Sequence, residues 1–480
     1  MIILQPIANA NKNKKSVKTM LSKTKGKNVD VDMTEGRITK HLITFAIPLL
    51  IGNLFQMMYN MVDTWVVGRF VGDAAFSAVG TLGSVTNLLI GFFLGLSSGA
   101  GVVISRFFGA KRYDRVRDTV NTAVIMTVVM CAIFTVLGIA LIPAFMKMLD
   151  MPDEVMTEAV TYLSIWFAGV SGLMIYNMGS AIMRAVGDSR RPFRYLVVAA
   201  ITNTVLDLVF VIVFGWGVAG VAAATIIAQG LSAALTVISL CRNDSCVKIS
   251  LRGMRFDSGI LKEIFVIGFP AALQMTITAF SNIFVQSYIN YFGMEVMGGW
   301  TAYNKVGQLV LLPMQSFALA STTFVGQNIG KMQVRRAEKG ANTALLVSVI
   351  STAVLMLPIM IFARLFVSVF NTNTAIVTYG AQFIRMLIPF YLLWCINQIY
   401  SGALRGVGKS TGPMIIMLSS FVAFRQAYLF VMANYISNTV LPIVMSFPAG
   451  WVLSAIITLI YYKITGLRPK EKKETVSLAS

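Results

Sequence analysis

The sequence predicts an all-α membrane protein with twelve transmembrane helices, arranged as two six-helix lobes that are related by a parallel pseudo-twofold repeat. Three observations predict this fold: an apolar composition, a series of long apolar segments, and an internal repeat of constant spacing. Of the 480 residues, 56% are hydrophobic and only 12% are charged. A soluble domain carries about twice that charged fraction, so the composition argues against an ordinary soluble protein.

Long apolar segments recur between His41 and Tyr462. Each is about 20 residues or more, the length that a helix needs to cross the hydrocarbon core of a bilayer. We count twelve, because the turn Gly215-Trp216-Gly217 separates the fifth from the sixth. The predicted spans are 41–67, 75–104, 119–145, 157–183, 194–214, 217–240, 263–290, 298–325, 341–366, 378–403, 413–435 and 440–463.

The net charge of +20 could indicate a nucleic-acid partner. The basic residues lie instead in short segments between apolar spans, as expected for loops that anchor the cytoplasmic face of a membrane protein. With twelve spans, every basic loop falls on one side, which places both termini in the cytoplasm and predicts no nucleic-acid partner. The basic loops are 111–117, 190–194, 248–255, 331–339 and 405–409.

The predicted lobes are flanked and joined by polar segments. Residues 11–40 are rich in lysine and lack the apolar core of a signal peptide, so they are interpreted as a flexible cytoplasmic tail. With one histidine in the chain, His41, a zinc site of cysteine and histidine is not expected. The predicted divisions are a tail at 1–40, an N-lobe at 41–240, a cytoplasmic linker at 241–262, a C-lobe at 263–463 and a second tail at 464–480.

The two halves of the chain repeat each other. Residues 183–192 resemble residues 404–413, which lie 221 positions later, and several other pairs share this spacing. Six spans in each copy, an even number, make the copies run in the same direction through the bilayer. Parallel repeats have their pseudo-twofold axis along the membrane normal and a substrate site between the halves; a duplicated bundle without transport activity is the alternative. The matched pairs include Arg184 and Arg405, Gly187 and Gly408, Gly109 and Gly330, and Asn121 and Asn342.

Two acidic residues lie inside the spans of the first repeat. Asp63 is near the outer end of span one and Asp207 is in span five, four residues after Asn203. That spacing puts Asn203 and Asp207 on one helix face. A charge inside a span costs several kcal/mol and usually marks function, so these groups could bind a proton or a monovalent cation. In the alternative interpretation, Asp63 hydrogen-bonds nearby backbone or lies in the outer interface.

The deep charges of the second repeat are basic: Lys305, Arg385 and Arg425. Acids and bases are therefore segregated by repeat, which suggests acidic and basic walls facing each other across a cleft. An arginine can also extend its charged end towards the interface if the span is shifted, so Arg425 has a structural alternative.

The sequence resembles the bacterial multidrug and toxic compound extrusion (MATE) family from about residue 37 to 463. The motifs that carry the resemblance are Pro48 with Asp63-Thr-Trp-Val-Val-Gly68, Ala110-Lys-Arg, Arg184-Ala-Val-Gly-Asp188, Asn203-Thr-Val-Leu-Asp207, Gly217-Val-Ala-Gly-Val-Ala222 leading to Thr225, and Val325-Gly-Gln-Asn-Ile-Gly330. Each alone is weak, whereas together they are specific. The resemblance implies two lobes that alternate between inward and outward openings, with export driven by sodium or protons.

The resemblance also implies roles for residues. In the N-lobe, the positions that match the family's cation-coupling cluster are Asp63, Tyr162, Asn203, Asp207 and Thr225, and a sodium ion would lie at Asp63, Asn203 and Asp207. One branch of the family adds acids in spans seven and ten. This chain has Gln274, Thr278 and Gln286 in span seven and no acid in span ten, so it is more similar to the branch named for DNA-damage-inducible proteins. The residues expected to line the substrate cavity are Gln274, Gln286, Lys305 and Arg425.

The leading hypothesis is a cation-coupled exporter of small amphiphilic or cationic compounds, such as drugs or toxic metabolites. It would act in lipid as a monomer, with no cofactor beyond its coupling ion, H+ or Na+. The alternative is a flippase for a lipid-linked precursor, which the basic residues Lys305 and Arg425 would also suit. A membrane enzyme would need clustered acids, and the one Asp-x-x-Asp, Asp150 to Asp153, has no second acidic cluster beside it.

Overall fold

A computed structural model describes residues 30–148, 153–242, 245–249 and 254–468. These residues are almost entirely helical, and they form twelve helices that are long and apolar enough to cross a membrane. The predicted number of spans is therefore confirmed, and the turn between the fifth and sixth spans is real. We number the spans α1 to α12 in chain order.

Several spans consist of consecutive helical pieces, and short helices follow α3 and α9 at Ile142–Met148 and Ala363–Ser368. The bounds are α1 Ile38–Val66 with a π-helical turn at Val67–Val71, α2 Asp73–Gly109, α3 Tyr113–Ala140, α4 Asp153–Ala185, α5 Arg190–Leu208 with a π-helical turn at Val209–Val213, α6 Gly217–Arg242, α7 Ser258–Asn290, α8 Met294–Gly330, α9 Val334–Ile361, α10 Thr374–Leu387, Ile388–Phe390 and Tyr391–Gly406, α11 Thr411–Leu418, Ser419–Phe424, Arg425–Val431 and Met432–Ile436, and α12 Val440–Val444 and Ser446–Thr465.

Some helices are longer than predicted, because polar residues beyond the apolar span continue the helix instead of forming a loop. The helix α7 begins at Ser258, five residues before the predicted span. Its N-cap, Asp257, accepts a hydrogen bond from the backbone N–H of Ile260 at 3.0 Å and pairs with Arg115 of α3 at 3.0 Å. An N-cap carboxylate satisfies a donor that the helix itself leaves free, so the linker that joins the two repeats ends in a defined helix start.

The repeat is visible in the backbone. Left-handed conformations recur at a spacing of 221 residues: at Gly72 and Gly293, at Lys111 and Met332, and at Gly187 and Gly408. Residues other than glycine rarely adopt a positive φ, so the pair Lys111 and Met332 is an especially informative match. The two repeats therefore share their turns as well as their motifs.

Contacts between the repeats are reciprocal at the end of the bundle where the turns 110–112, 186–189, 331–333 and 407–410 lie. We call it the basic end, because basic residues of the predicted cytoplasmic loops lie in or directly beside these turns. Gly109 of α2 packs so closely on the backbone carbonyl of Gln327 that a Cβ would collide with it. Gly330 of α8 packs in the same way on the carbonyl of Arg106. Arg106 and Gln327 are themselves 221 residues apart. A reciprocal contact of this kind is the signature of twofold symmetry.

The position of the pseudo-twofold axis follows from one further contact. Ser105 and Gly326 are also 221 residues apart, and they pack against each other. A residue that touches its own symmetry mate lies beside the axis, so the axis passes between α2 and α8 at the basic end.

Buried apolar clusters divide the described residues into two lobes. One cluster joins Leu42 and Phe45 of α1 to Phe317 and Phe324 of α8, and another joins the start of α7, including Ile264, to helices of the first repeat. Both are near the basic end. The other clusters of the described residues each lie within one repeat. The lobes are thus sealed together at the basic end and keep separate cores elsewhere.

Residues 30–37 differ from the prediction of a flexible tail. Their backbone is paired with both lobes: Val31 N–H donates to Val186 O at 2.8 Å, and Met33 N–H donates to the side chain of Gln327 at 2.8 Å. Arg336 donates to the carbonyl of Met33 at 3.2 Å, and Met33 itself is 1% exposed. The prediction is wrong for this N-terminal segment because Met33 and Thr34 are buried and the backbone of Val31 and Met33 is hydrogen-bonded to the two lobes; residues 1–29 lie outside the described part.

Candidate functional site

Four helices of the N-lobe carry the residues that were predicted to bind a coupling ion. Asp63 is on α1 and Tyr162 on α4, Asn203 and Asp207 are on α5, and Thr225 is on α6. Both helices that supply a carboxylate change to a π-helical turn just beyond it, at Val67 and at Val209. π-Helical turns are rare overall, and those that occur are often found at functional sites, where they redirect side chains.

The two carboxylates meet inside the N-lobe. Asp207 is fully buried and Asp63 is partly buried, and their carboxyl groups are close enough to share a hydrogen bond when one is protonated. In the described residues, both carboxylate oxygens of Asp207 and one of Asp63 are buried without a hydrogen-bond donor. A buried carboxylate without a partner is unstable in its charged form. The pair therefore requires a proton or a cation.

The neighbouring polar groups complete the cluster. The Asn203 amide donates to Thr225 Oγ1 at 3.4 Å, and the Thr225 hydroxyl donates to the Val221 carbonyl at 3.0 Å. These bonds leave the Asn203 Oδ1 atom buried without a donor. The Tyr162 hydroxyl lies within electrostatic range of both carboxylates. The structure thus brings together all five predicted residues.

One residue of this cluster was missed by the sequence analysis. Tyr59 also lies within electrostatic range of Asp63, and it precedes Asp63 on α1 by four residues. Residues four apart share one face of a helix. The same spacing argument that linked Asn203 to Asp207 would have identified Tyr59.

The composition of the cluster decides what it can bind. Its uncommitted atoms are oxygens of carboxyl and amide groups, which suit a proton or a hard cation such as sodium rather than a soft metal. Five buried valines, Val66, Val67, Val211, Val218 and Val221, pack together and contact Tyr162 of the cluster.

The four residues predicted to line a substrate cavity are not joined to one another by any hydrogen bond in the described residues. Gln274 is 4% exposed and its side-chain oxygen has no donor, whereas the partly exposed Gln286 donates to Asn290 at 2.8 Å. Lys305 is partly exposed. Arg425, which was expected at the cavity surface, is 2% exposed. Its contact with substrate stays a prediction.

Comparisons with known proteins identify the family. The family model MatE matches residues 48–209 and 270–428. The "Probable multidrug resistance protein YpnP" of Bacillus subtilis (strain 168) is 26% identical over 398 residues, which cover 83% of this chain and 89% of that protein. The "FAD transporter" of Shewanella oneidensis is 23% identical over 395 residues, covering 80% of this chain and 86% of that protein.

The fold is shared with solved structures. A chain described as the outward-facing conformation of a multidrug resistance MATE family transporter superposes with a TM-score of 0.86 at 23% identity, covering 92% of this chain and 98% of that one. The family model matches both repeats, and the twelve long apolar helices and the shared fold agree with it. The chain is a multi-pass membrane protein that belongs to the MatE family of multidrug and toxic compound extrusion transporters.

Proposed function

We propose that the protein is a cation-coupled antiporter that exports small amphiphilic compounds across the cell membrane by alternating access, with protons or sodium as the coupling ion. The observation that carries this proposal is the pair Asp63 and Asp207, two carboxylates that meet in the N-lobe core without a basic partner in the described residues. Relatives that include probable multidrug resistance proteins support drug-like substrates. A relative named as an FAD transporter indicates that the substrate class differs among members.

Relief of the electrostatic repulsion between the two carboxylates can link ion binding to a conformational change. Two like unit charges about 4 Å apart repel by roughly 4 kcal/mol at an effective dielectric constant of about 20. Inverting a two-state equilibrium from 1:99 to 99:1 needs roughly 5.5 kcal/mol. Binding of a proton or sodium ion at Asp63 and Asp207 removes repulsion of this size, so ion occupancy can shift the balance between two states of the N-lobe if the states differ in the spacing of the carboxylates.

The helix α1 connects this site to the seal between the lobes. Asp63 is near one end of α1, and Leu42 and Phe45 near the other end pack against Phe317 and Phe324 of α8. Pro48 lies between them within the helix, where it removes one backbone hydrogen bond and permits a bend. A change in the position of Asp63 on ion binding can therefore be transmitted along α1 to the contact with the C-lobe.

The test is substrate efflux from proteoliposomes with the sodium and proton gradients imposed separately. Asp207→Asn and Asp63→Asn mimic the neutral carboxyl group, so each should fold and bind substrate but lose gradient-driven export. Glu295→Gln is the matched control, because Glu295 is an exposed acid in the first turn of α8. Full ion-driven efflux by folded Asp207→Asn would remove this pair from the coupling mechanism.

A flippase for a lipid-linked precursor is a second candidate, favoured by the basic side chains Lys305 and Arg425 in the C-lobe. Reconstituted vesicles that contain a lipid-linked sugar distinguish the two functions. Flipping of the sugar without gradient-driven export of any drug-like compound would favour the flippase.

A further inference from the structure

The cleft-facing side of α7 can be located from its contacts with α2. At the basic end, Ile264 and Gly268 of α7 pack against Gly99 of α2, with no room for a Cβ on the glycine of α2. Eighteen residues further along a helix is five complete turns at 3.6 residues per turn, which leads from Ile264 to Asn282 and from Gly268 to Gln286. Asn282 is exposed and Gln286 is partly exposed. These polar side chains of α7 therefore face the N-lobe beyond the level where the lobes touch.

The same reasoning locates the cleft-facing side of α8. Gly326 and Gly330 pack against α2 at the basic end. Seven turns earlier, about 25 residues, are Thr301 and Lys305. Thr301 is exposed and Lys305 is partly exposed, and the adjoining turns add the exposed polar residues Asn304 and Gln308. A polar exposed stripe is unfavourable against lipid, so this face of α8 is expected to face the cleft between the lobes.

Arg425 of α11 lies directly behind the cleft-facing side of α7. Its Nη2 atom donates to Asn282 Oδ1 at 2.9 Å and to Ser281 Oγ at 2.6 Å, and its guanidinium lies 4.7 Å from the centre of the Phe447 ring. Its Nε atom is buried without an acceptor. Because Asn282 is exposed and Ser281 is buried, a single side chain separates the guanidinium from the cleft.

Neither Arg425 nor Lys305 forms a salt bridge in the described residues. Residues 264–467 are all described, and they contain only two acids, Glu295 and Glu338, which lie close to the starts of α8 and α9. A buried charge without a counter-ion is costly and in a membrane segment usually serves function. The C-lobe wall thus carries two positive charges that the lobe itself does not neutralise.

These groups lie at similar depths in the bundle. At a rise of 1.5 Å per residue, Asn282 is about 12 Å from the end of α7, and Lys305 and Arg425 are each about 16 Å from the corresponding ends of α8 and α11. Asp63 is about 12 Å from the end of α1 by the same measure. The cationic wall of the C-lobe is therefore level with the acidic cluster of the N-lobe.

We propose that Asn282, Lys305 and Arg425 form a binding site for the anionic group, a carboxylate or a phosphate, of an amphiphilic substrate. Lys305 contacts the anion directly, and Arg425 acts through Asn282 and through its positive potential at the wall. This site disfavours the cationic compounds that the sequence analysis also considered. Its role in selecting what is exported rests on the proposed function, whereas the binding itself does not.

The test compares two dyes that share a xanthene ring and differ in the sign of their charge: anionic carboxyfluorescein and cationic tetramethylrhodamine methyl ester. Binding to the purified full-length protein in detergent is measured by fluorescence anisotropy. We expect the wild type to prefer carboxyfluorescein, and we expect Lys305→Gln and Arg425→Gln each to weaken its binding at least tenfold, without weakening binding of the cationic dye. Arg425→Lys should restore part of the affinity.

Arg385→Gln is the matched control, because the exposed Arg385 donates to the backbone of α9 at Met360. If Arg425→Gln does not fold, the partly exposed Lys305 decides the question. Unchanged carboxyfluorescein binding by folded Lys305→Gln, or a wild-type preference for the cationic dye, would overturn the anion site. Gradient-driven efflux separates the two proposals: export of the cationic dye without carboxyfluorescein binding refutes only the anion site, and carboxyfluorescein binding without ion-driven export of either dye refutes only the exporter.

Discussion

Replacing Gln327 with methionine should open the basic end of the transporter. Gln327 is fully buried; its side-chain oxygen accepts from Met33 N–H at 2.8 Å, and its amide donates to the Ala185 carbonyl at 2.9 Å. One side chain of the C-lobe thus holds both the N-lobe and the N-terminal segment. Methionine has a similar length and volume but cannot make either bond, so the packing is kept and only the hydrogen bonds are removed.

The size of the effect follows from these two bonds. Each buried hydrogen bond contributes about 0.5–1.5 kcal/mol, and a buried group left without a partner costs about 1–3 kcal/mol. A loss of roughly 2–4 kcal/mol falls on the closed arrangement, since separation of the lobes at this end would break these bonds in any case. Because about 1.4 kcal/mol corresponds to a factor of ten, the population open at the basic end should rise roughly 30-fold to 1,000-fold while it remains the minor state.

The assay uses a cysteine at Ser105, which is fully buried against Gly326 beside the pseudo-twofold axis. In a background without the four native cysteines, a membrane-impermeant maleimide is applied to membrane vesicles whose cytoplasmic side is accessible. Gln327→Met should raise the labelling rate by the factor given above. Gln308→Met is the matched control, since Gln308 is an exposed glutamine of the same helix. A folded Gln327→Met protein that is labelled no faster than this control would refute the reasoning.

Three further predictions follow from the packing, the loops and the linker. Gly109→Ala forces a Cβ into the α8 backbone and should lower the melting temperature in detergent, whereas Gly230→Ala, with open space around it, should not. Cysteines at the exposed Met332 and Met294 should be labelled only from the cytoplasm and only from outside, respectively, and the reverse pattern would invert the topology. Backbone N–H groups at the start of α7 lower the pKa of Asp257 below its ordinary value of 3.8, so its stabilising effect is present above that value and is lost as the pH falls through the lowered pKa. Asp257→Asn should therefore reduce the loss of thermal stability on acidification below about pH 4, and an identical pH profile for both proteins would contradict this role.

The polar cluster around Asp63 and Asp207 shows how much of a site can be predicted from the sequence. Asn203 and Asp207 could be paired from the sequence because four residues of helix return a side chain to the same face. The meeting of Asp63 with Asp207 depends instead on how α1 packs beside α5. From the residues alone, each acid could be identified as unusual within its span, and the resemblance to a family placed them in one cluster. Contact between their carboxyl groups required the tertiary structure.

The N-terminal segment and Arg425 show where prediction from the sequence fails. Residues 30–37 are polar and contain no long apolar run, so hydropathy indicates a tail; the burial of Met33 depends on a cleft that two distant repeats create. Arg425 was expected at a cavity surface because charge inside a span usually faces water. In the structure it lies behind that surface, hydrogen-bonded to Ser281 and Asn282 of α7, and no local pattern encodes those partners.

The sequence by itself determined the number of spans, the twofold repeat and the segregation of acids and bases between the lobes. These are properties of length, hydropathy and spacing along the chain, and a membrane-spanning helix must satisfy them locally because lipid offers no partners for its backbone. Only the tertiary structure decided which helix faces meet. In membrane proteins lipid-facing and buried helix surfaces are both apolar, so hydropathy carries little information on which helix faces meet. Close packing of small residues such as Gly109 and Gly330 decides this instead, and it acts between residues that are far apart in the chain.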